Sequence, residues 1–312
     1  MRFFHNSNVN FMSTRKFSFL FSGTLILVSI ISLIIHGGPR YSVDFRGGTF
    51  MEIRFEDKTD PSKILNIEIG RVRDVFRRFG LGEAEIKHYG STQEIAARAD
   101  VTENTDELMN ELVQALSKEF PNCNVIEMRK ETVGPKVGKE LVGAAILAIF
   151  WAIIFILIYI MWRFEFRFGV GAVVALIHDV IITLGIFSIL NKEISIAIVA
   201  ALLTIVGYSL NDTIVVYDRI RENLRALKRQ SFDYAVTINR SINETLGRTI
   251  VTSGTTLIVV LILFFFGGEV IKDFAFALLC GIVIGTYSSI YVASPVLVEW
   301  EERKKRRGGS KR

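Results

Sequence analysis

The amino-acid sequence predicts an α-helical multipass membrane protein with six transmembrane helices and a small α+β domain outside the bilayer. Three observations carry this. Half of the 312 residues are hydrophobic while 22% are charged, a combination that one soluble core does not accommodate. The charge is segregated into 37–140, 218–248 and the residues after 299. Elsewhere the chain forms six apolar runs near the length a bilayer requires, about 20 residues for a helix.

Residues 1–36 begin with a polar lead ending in Arg15-Lys16 and continue as an apolar run from Phe17 to Ile35. The following His36-Gly37-Gly38-Pro39-Arg40 offers no small-residue cleavage site, so the run reads as an uncleaved helix, not a signal peptide.

Residues 37–140 form the polar domain. Gly47-Gly48 reads as a tight turn into Thr49–Phe55, which alternates as a strand does. Asp60-Pro61-Ser62 predicts a helix start, with Ile64, Leu65, Ile69, Val72, Val75, Phe76 and Phe79 at helical spacing and a stop at Gly80. Strands are expected over 84–89 and 94–100, a helix over 106–120 and a strand over 124–129. The order β-α-β-β-α-β is the ferredoxin-like pattern. Val133 to Glu140 reads as a turn-rich linker. It is not a phosphate loop, because only three residues separate Gly134 from Gly138 and no Ser or Thr follows Lys139.

Residues 141–298 supply spans two to six: Leu141–Trp162, Gly169–Leu190, Ile194–Tyr217, Thr249–Phe266 and Phe274–Val298, the last with a Gly281-xxx-Gly285 spacing suited to close helix packing. A basic tail, 299–312, follows. The net charge of +5 does not indicate nucleic acid, since 16 of the 37 Lys and Arg lie in 37–139 beside 18 acidic residues. With the N-terminus in the cytoplasm, the inside segments carry 3, 2, 7 and 7 basic residues and the short outside loops one each, Lys192 and Lys272. Both termini are therefore expected in the cytoplasm and the domain 37–140 outside it. Cys123 and Cys280 fall in a polar and an apolar segment, which argues against a disulfide, and no metal or cofactor is expected.

The fourth span holds the leading candidate residue. Its 24 residues from Ile194 to Tyr217 would reach about 36 Å as a helix, so Asp212 lies inside the hydrocarbon region. A carboxylate there costs about 2.5–3.5 kcal/mol and is expected only where it serves a function. A shielded carboxyl that exchanges a proton is what proton coupling requires, and the neighbouring Asn211 supplies an amide to hold it. Snorkelling to the interface is the structural alternative. In the third span His178 and Asp179 point in different directions, as a proton relay or as interhelical glue, with Thr183 one turn away. Thr249, Thr252, Ser253 and Thr256 form one polar stripe on the fifth span, either lining the Asp212 pocket or bonding their own backbone. Neither aspartate has the Tyr-Asp or Gly-x-Gly-Asp context of an intramembrane protease, and no nucleotide loop, zinc helix or nucleophile elbow appears. The chain is therefore not read as an enzyme.

Several stretches resemble the SecD/SecF family of the RND superfamily, and within it the smaller subunit: 43–48 with Asp44, Gly47 and Gly48; 133–138; His178-Asp179; 207–223 with Asp212, Asp218, Arg219, Arg221 and Asn223; and 243–253 with Arg248. The resemblance implies an accessory subunit of the Sec preprotein translocase, paired with SecD as a heterodimer and associated with the SecYEG channel and a YajC-type subunit. It further implies use of the proton motive force late in export of a preprotein across the cytoplasmic, or inner, membrane. The family's intramembrane aspartate maps onto Asp212. The chain contains one six-span set where such transporters have two, so it reads as one half. Half of an RND-type small-molecule or lipid exporter and a non-transporting membrane scaffold are the alternatives.

Overall fold

An apolar segment in a bilayer has to satisfy its backbone hydrogen bonds within itself, and a helix does so. The computed structural model describes residues 8–60, 62–227 and 233–309. Six of its helical segments are long and apolar enough to cross a membrane. The chain divides into two units, one of 1–40 with 147–312 and one of 41–146.

The second unit is the α+β domain. It runs through α2 (Val43–Arg46), β1 (Gly48–Asp57), α3 (Ile69–Arg78), β2 (Glu85–Tyr89), β3 (Ser91–Ala99), α4 (Thr105–Glu119) and β4 (Cys123–Val133), following α1 (Arg15–Ile35) of the first unit. The sheet is antiparallel in the order β2-β3-β1-β4, the ferredoxin-like arrangement. Alternation along β1 sends Met51, Ile53 and Phe55 to one face, where they are fully buried with Val72, Phe76, Leu112 and Leu116 of the two helices. Gly48 has φ +105°, and a Cβ there would stand 2.7 Å from the Ala99 carbonyl oxygen, so the glycine is required on both counts.

Two expectations for this domain are corrected. The helix expected after Asp60 is α3 and starts only at Ile69; Pro61 lies outside the described residues. The intervening segment is bound to β3: the Ile67 amide donates to the Thr92 carbonyl at 3.1 Å and the Thr92 hydroxyl to the Leu65 carbonyl at 2.7 Å. Those bonds give its backbone an alternative to a helical turn. Nor do residues 133–140 form a linker. The strand continues to Val133, and Pro135 opens α5 (Pro135–Arg163), where a first helical position needs no amide hydrogen. Gly138 permits this close start, since a Cβ there would fall 2.7 Å from the Phe45 carbonyl oxygen.

The first unit contains α1, the later part of α5, α6 (Phe166–Ile189), α7 (Ile196–Ala226), α8 (Tyr234–Phe266), α9 (Glu269–Ser288), a π-helical turn (Ser289–Ala293) and α10 (Ser294–Gly309). The charged stretch 218–248 is built largely from extensions of two spans. α7 continues to Ala226 and α8 starts at Tyr234, so most of the stretch is helix, held by charged pairs on its surface. Small residues bring the helices together. Gly281 and Gly285 face Ile205 and Ser209 of α7, and a Cβ on Gly285 would lie 2.9 Å from the Ser209 Cβ. Gly171 of α6 makes room for the Tyr217 hydroxyl, which donates to the Ala293 carbonyl at the end of the π turn at 3.1 Å. By contrast, α5 leaves Phe150, Trp151, Phe155, Ile158 and Trp162 exposed, a surface suited to lipid or another helix.

Candidate functional site: two buried carboxylates

The tight α7–α9 contact buries polar side chains that a looser bundle would leave accessible. Asp212 is 2% exposed, His178 2% and Asp179 0%. Asp212 therefore does not snorkel. The Ser253 hydroxyl of α8 donates to Asp212 Oδ2 at 2.8 Å, and the Thr286 hydroxyl of α9 donates to Ser253 Oγ at 2.9 Å. The Ile282 carbonyl stands 2.7 Å from the same threonine oxygen.

This chain supports two directions of hydrogen bonding. A hydroxyl has one hydrogen and two lone pairs. With an ionised Asp212, the hydrogens run from Thr286 to Ser253 to the carboxylate. With a protonated Asp212, the acid donates to Ser253, Ser253 to Thr286, and Thr286 to the Ile282 carbonyl. Every hydrogen keeps an acceptor in both states, so loading and unloading a proton strands no buried donor, a loss that costs about 1–3 kcal/mol.

Asp179 is held differently. Its Oδ1 lies 2.9 Å from His178 Nδ1, and its Oδ2 accepts the Ser209 hydroxyl at 2.6 Å and the Ser288 hydroxyl at 2.9 Å. His178 stacks on Tyr287, whose hydroxyl is 3.1 Å from Ser22 of α1, while its Nε2 is buried without a partner among the described residues. Thr183 does not join the carboxylate. Its hydroxyl donates to the Asp179 backbone carbonyl at 2.8 Å.

The polar stripe on α8 divides. Ser253 reaches Asp212, Thr256 bonds the Thr252 carbonyl at 3.1 Å, Thr252 is half-buried, and the Thr249 hydroxyl is buried with no partner among the described residues. Asn211 corrects its expectation. It is exposed and does not hold Asp212, because consecutive helical residues point about 100° apart and burying Asp212 turns Asn211 outward. Thr286, Ser209 and Ser288 escaped the sequence reading.

Beyond Asp212 the helices become charged. A cavity of about 610 Å³ is lined by residues including Val215, Arg219, Arg225, Glu244 and Arg248. Arg219 pairs with Glu244 at 2.6 Å, and Asn223 also donates to that carboxylate at 2.8 Å. Asp218 pairs with Arg221 at 2.8 Å, and Arg221 donates to the Arg163 carbonyl at 2.8 Å, tying the end of α5 to α7. Arg248 is exposed, one turn before Thr252. In the other unit, Asp44 lies in the first turn of α2, and Gly47 and Gly48 both take positive φ.

Comparison with known proteins decides the family. Residues 112–303 match the family described as protein export membrane protein SecD/SecF, C-terminal. The chain belongs to the SecD/SecF family. It is similar to the protein translocase subunit SecF of Rhodothermus marinus, 45% identical over 97% of this chain and 96% of that protein. It is also similar to that of Vibrio alginolyticus, 46% identical over 93% and 89%. Among solved structures, the crystal structure of SecDF from Thermus thermophilus, a translocon-associated membrane protein, matches at 38% identity with a TM-score of 0.84. The match covers 97% of this chain and 40% of that one, so this SecD/SecF family member spans about two fifths of the solved relative. The family assignment makes the chain a multipass membrane protein and an accessory subunit of the Sec translocase.

Proposed function

We propose that the chain uses the proton motive force, together with a SecD partner, to assist late steps of preprotein export, and that Asp212 is the group that takes up and releases the proton. The observation that carries this is the buried Asp212 carboxyl at the end of a hydroxyl chain whose hydrogen bonds can reverse. The charged cavity is lined from Val215 onward, about one turn along α7 from Asp212. One elementary charge moving through 100 mV is worth about 2.3 kcal/mol, enough to bias a conformational equilibrium about fifty-fold.

The partners proposed are SecD, the SecYEG channel, a YajC-type subunit and the preprotein. The solved SecDF relative is more than twice the length matched here, consistent with a second half supplied by SecD. The distribution of Lys and Arg supports cytoplasmic termini and an extracytoplasmic domain. Catalysis of a covalent step forms no part of this reading.

Asp212→Asn tests it in a strain that depends on this subunit. The expected result is a loss of secretion with normal recovery of the SecD complex. Normal secretion by the variant contradicts proton coupling at Asp212, and joint loss of secretion and assembly favours a scaffold.

A further inference from the structure

The two buried aspartates differ in how completely the protein surrounds them. Asp212 takes one direct hydroxyl donor, Ser253, with Thr286 behind it. Asp179, also buried, takes two, from Ser209 of α7 and Ser288 of α9, and its other oxygen lies against the neighbouring His178 ring of its own helix. Ser209 lies three residues before Asp212 on α7, on the same helical face, and Ser288 lies two residues after Thr286 on α9. Ser209 is seated against Gly285, where a Cβ would meet its own at 2.9 Å. The Asp179 carboxylate therefore grips the α7 turn that carries Asp212 and the α9 turn that carries Thr286.

We infer that Asp179 is a positioning residue: by accepting Ser209 and Ser288 on one oxygen it sets the separation of Asp212 from the Ser253–Thr286 chain, and does not itself carry the transported proton. The inference rests on Asp212 as the proton-carrying group. Two hydroxyl donors on one buried oxygen, with the His178 ring on the other, favour a fixed acceptor, since both hydroxyls would lose their partner if the carboxyl turned to exchange a proton. The titratable or charged groups nearest this region are His178 on α6, Tyr287 on α9 and Asp212 on α7, with Arg248 on α8 in the cavity beyond Asp212. α1 contributes Ser22 through Tyr287.

Isosteric substitution separates positioning from proton transport. Asp179→Asn keeps a carbonyl oxygen for both serines and cannot shuttle a proton; Asp179→Ala keeps neither. In the full chain with its partner complex, Asp179→Asn is expected to retain most secretion. Asp179→Ala is expected to lose about tenfold, as leaving two buried hydroxyl donors without their acceptor implies. The milder Ser209→Ala/Ser288→Ala pair should move the pH midpoint of secretion in the same direction as Asp179→Ala, whereas a mere packing defect lowers the level at an unchanged midpoint. Asp179→Asn as inactive as Asp212→Asn, with the complex assembled, would make Asp179 a carrier and overturn the inference. So would wild-type secretion and midpoint in both Asp179→Ala and the serine pair. Wild-type secretion by Asp212→Asn sinks the underlying reading and this inference with it, while failure of Asp179→Asn alone sinks only the positioning role.

Discussion

Ser253 donates its hydroxyl to Asp212 Oδ2 at 2.8 Å, so the carboxyl of α7 and the polar stripe of α8 meet inside the bundle. A hydrogen bond to a charged group contributes about 1.5–3 kcal/mol, and one between neutral groups about 0.5–1.5. Ser253→Ala is therefore expected to reduce secretion about tenfold or more, and Thr286→Val less, by about threefold to tenfold. Ser253→Thr, which restores a hydroxyl, should recover part of the loss. Secretion rates of the three variants, normalised to the amount of assembled complex, check the order.

Packing beneath the site gives a second expectation. Gly285→Ala forces a Cβ to within 2.9 Å of the Ser209 Cβ, whereas a Cβ on Gly254 meets nothing within 4 Å. Overpacking of this kind costs about 1–3 kcal/mol. Gly254→Ala should be neutral or slightly stabilising, by up to about 1 kcal/mol from helix propensity. Thermal unfolding of the purified variants should separate the two, with Gly285→Ala the lower.

Acid should weaken one corner of the α+β domain. The Thr59 hydroxyl and amide, followed by the Lys63 ammonium, hold the Asp57 carboxyl well below the usual carboxylate range. A group with a depressed folded-state value contributes stability that is fully present above its unfolded value, about 3.9, and lost as pH falls towards the folded one. Protection from amide exchange at Thr59 and Asp60, whose N–H groups donate to Asp57, measured against the intrinsic rate at each pH, is expected to fall below about pH 4. In Asp57→Asn that protection should be lower at neutral pH and nearly insensitive to this acid step.

The parts of this molecule that were legible in the sequence are those governed by local patterns. Six apolar runs give the spans, period-two alternation gives β1, and an aspartate in an apolar span marks Asp212, as it does Asp179. The α8 stripe was legible only as a set. Helical spacing places Thr249, Thr252, Ser253 and Thr256 on one side, but which of them reaches Asp212 depends on the rotation of α8 against α7, a tertiary quantity. Thr286, Ser209 and Ser288 were missed for the same reason, since a single serine or threonine in an apolar helix is common and only packing makes it a ligand. Asn211 was misplaced by sequence adjacency, which on a helix separates side chains. The segment after Asp60 shows tertiary bonding to β3 prevailing over an apparent helix start.

The most direct measurement of the central claim is an infrared pH titration of the complex in lipid, comparing wild type with Asp212→Asn. The account predicts a protonated-carboxyl band that appears and disappears with pH in the wild type and is missing from the variant. Identical titrating bands in the two proteins would contradict it, because the exchanging proton would then reside on another group.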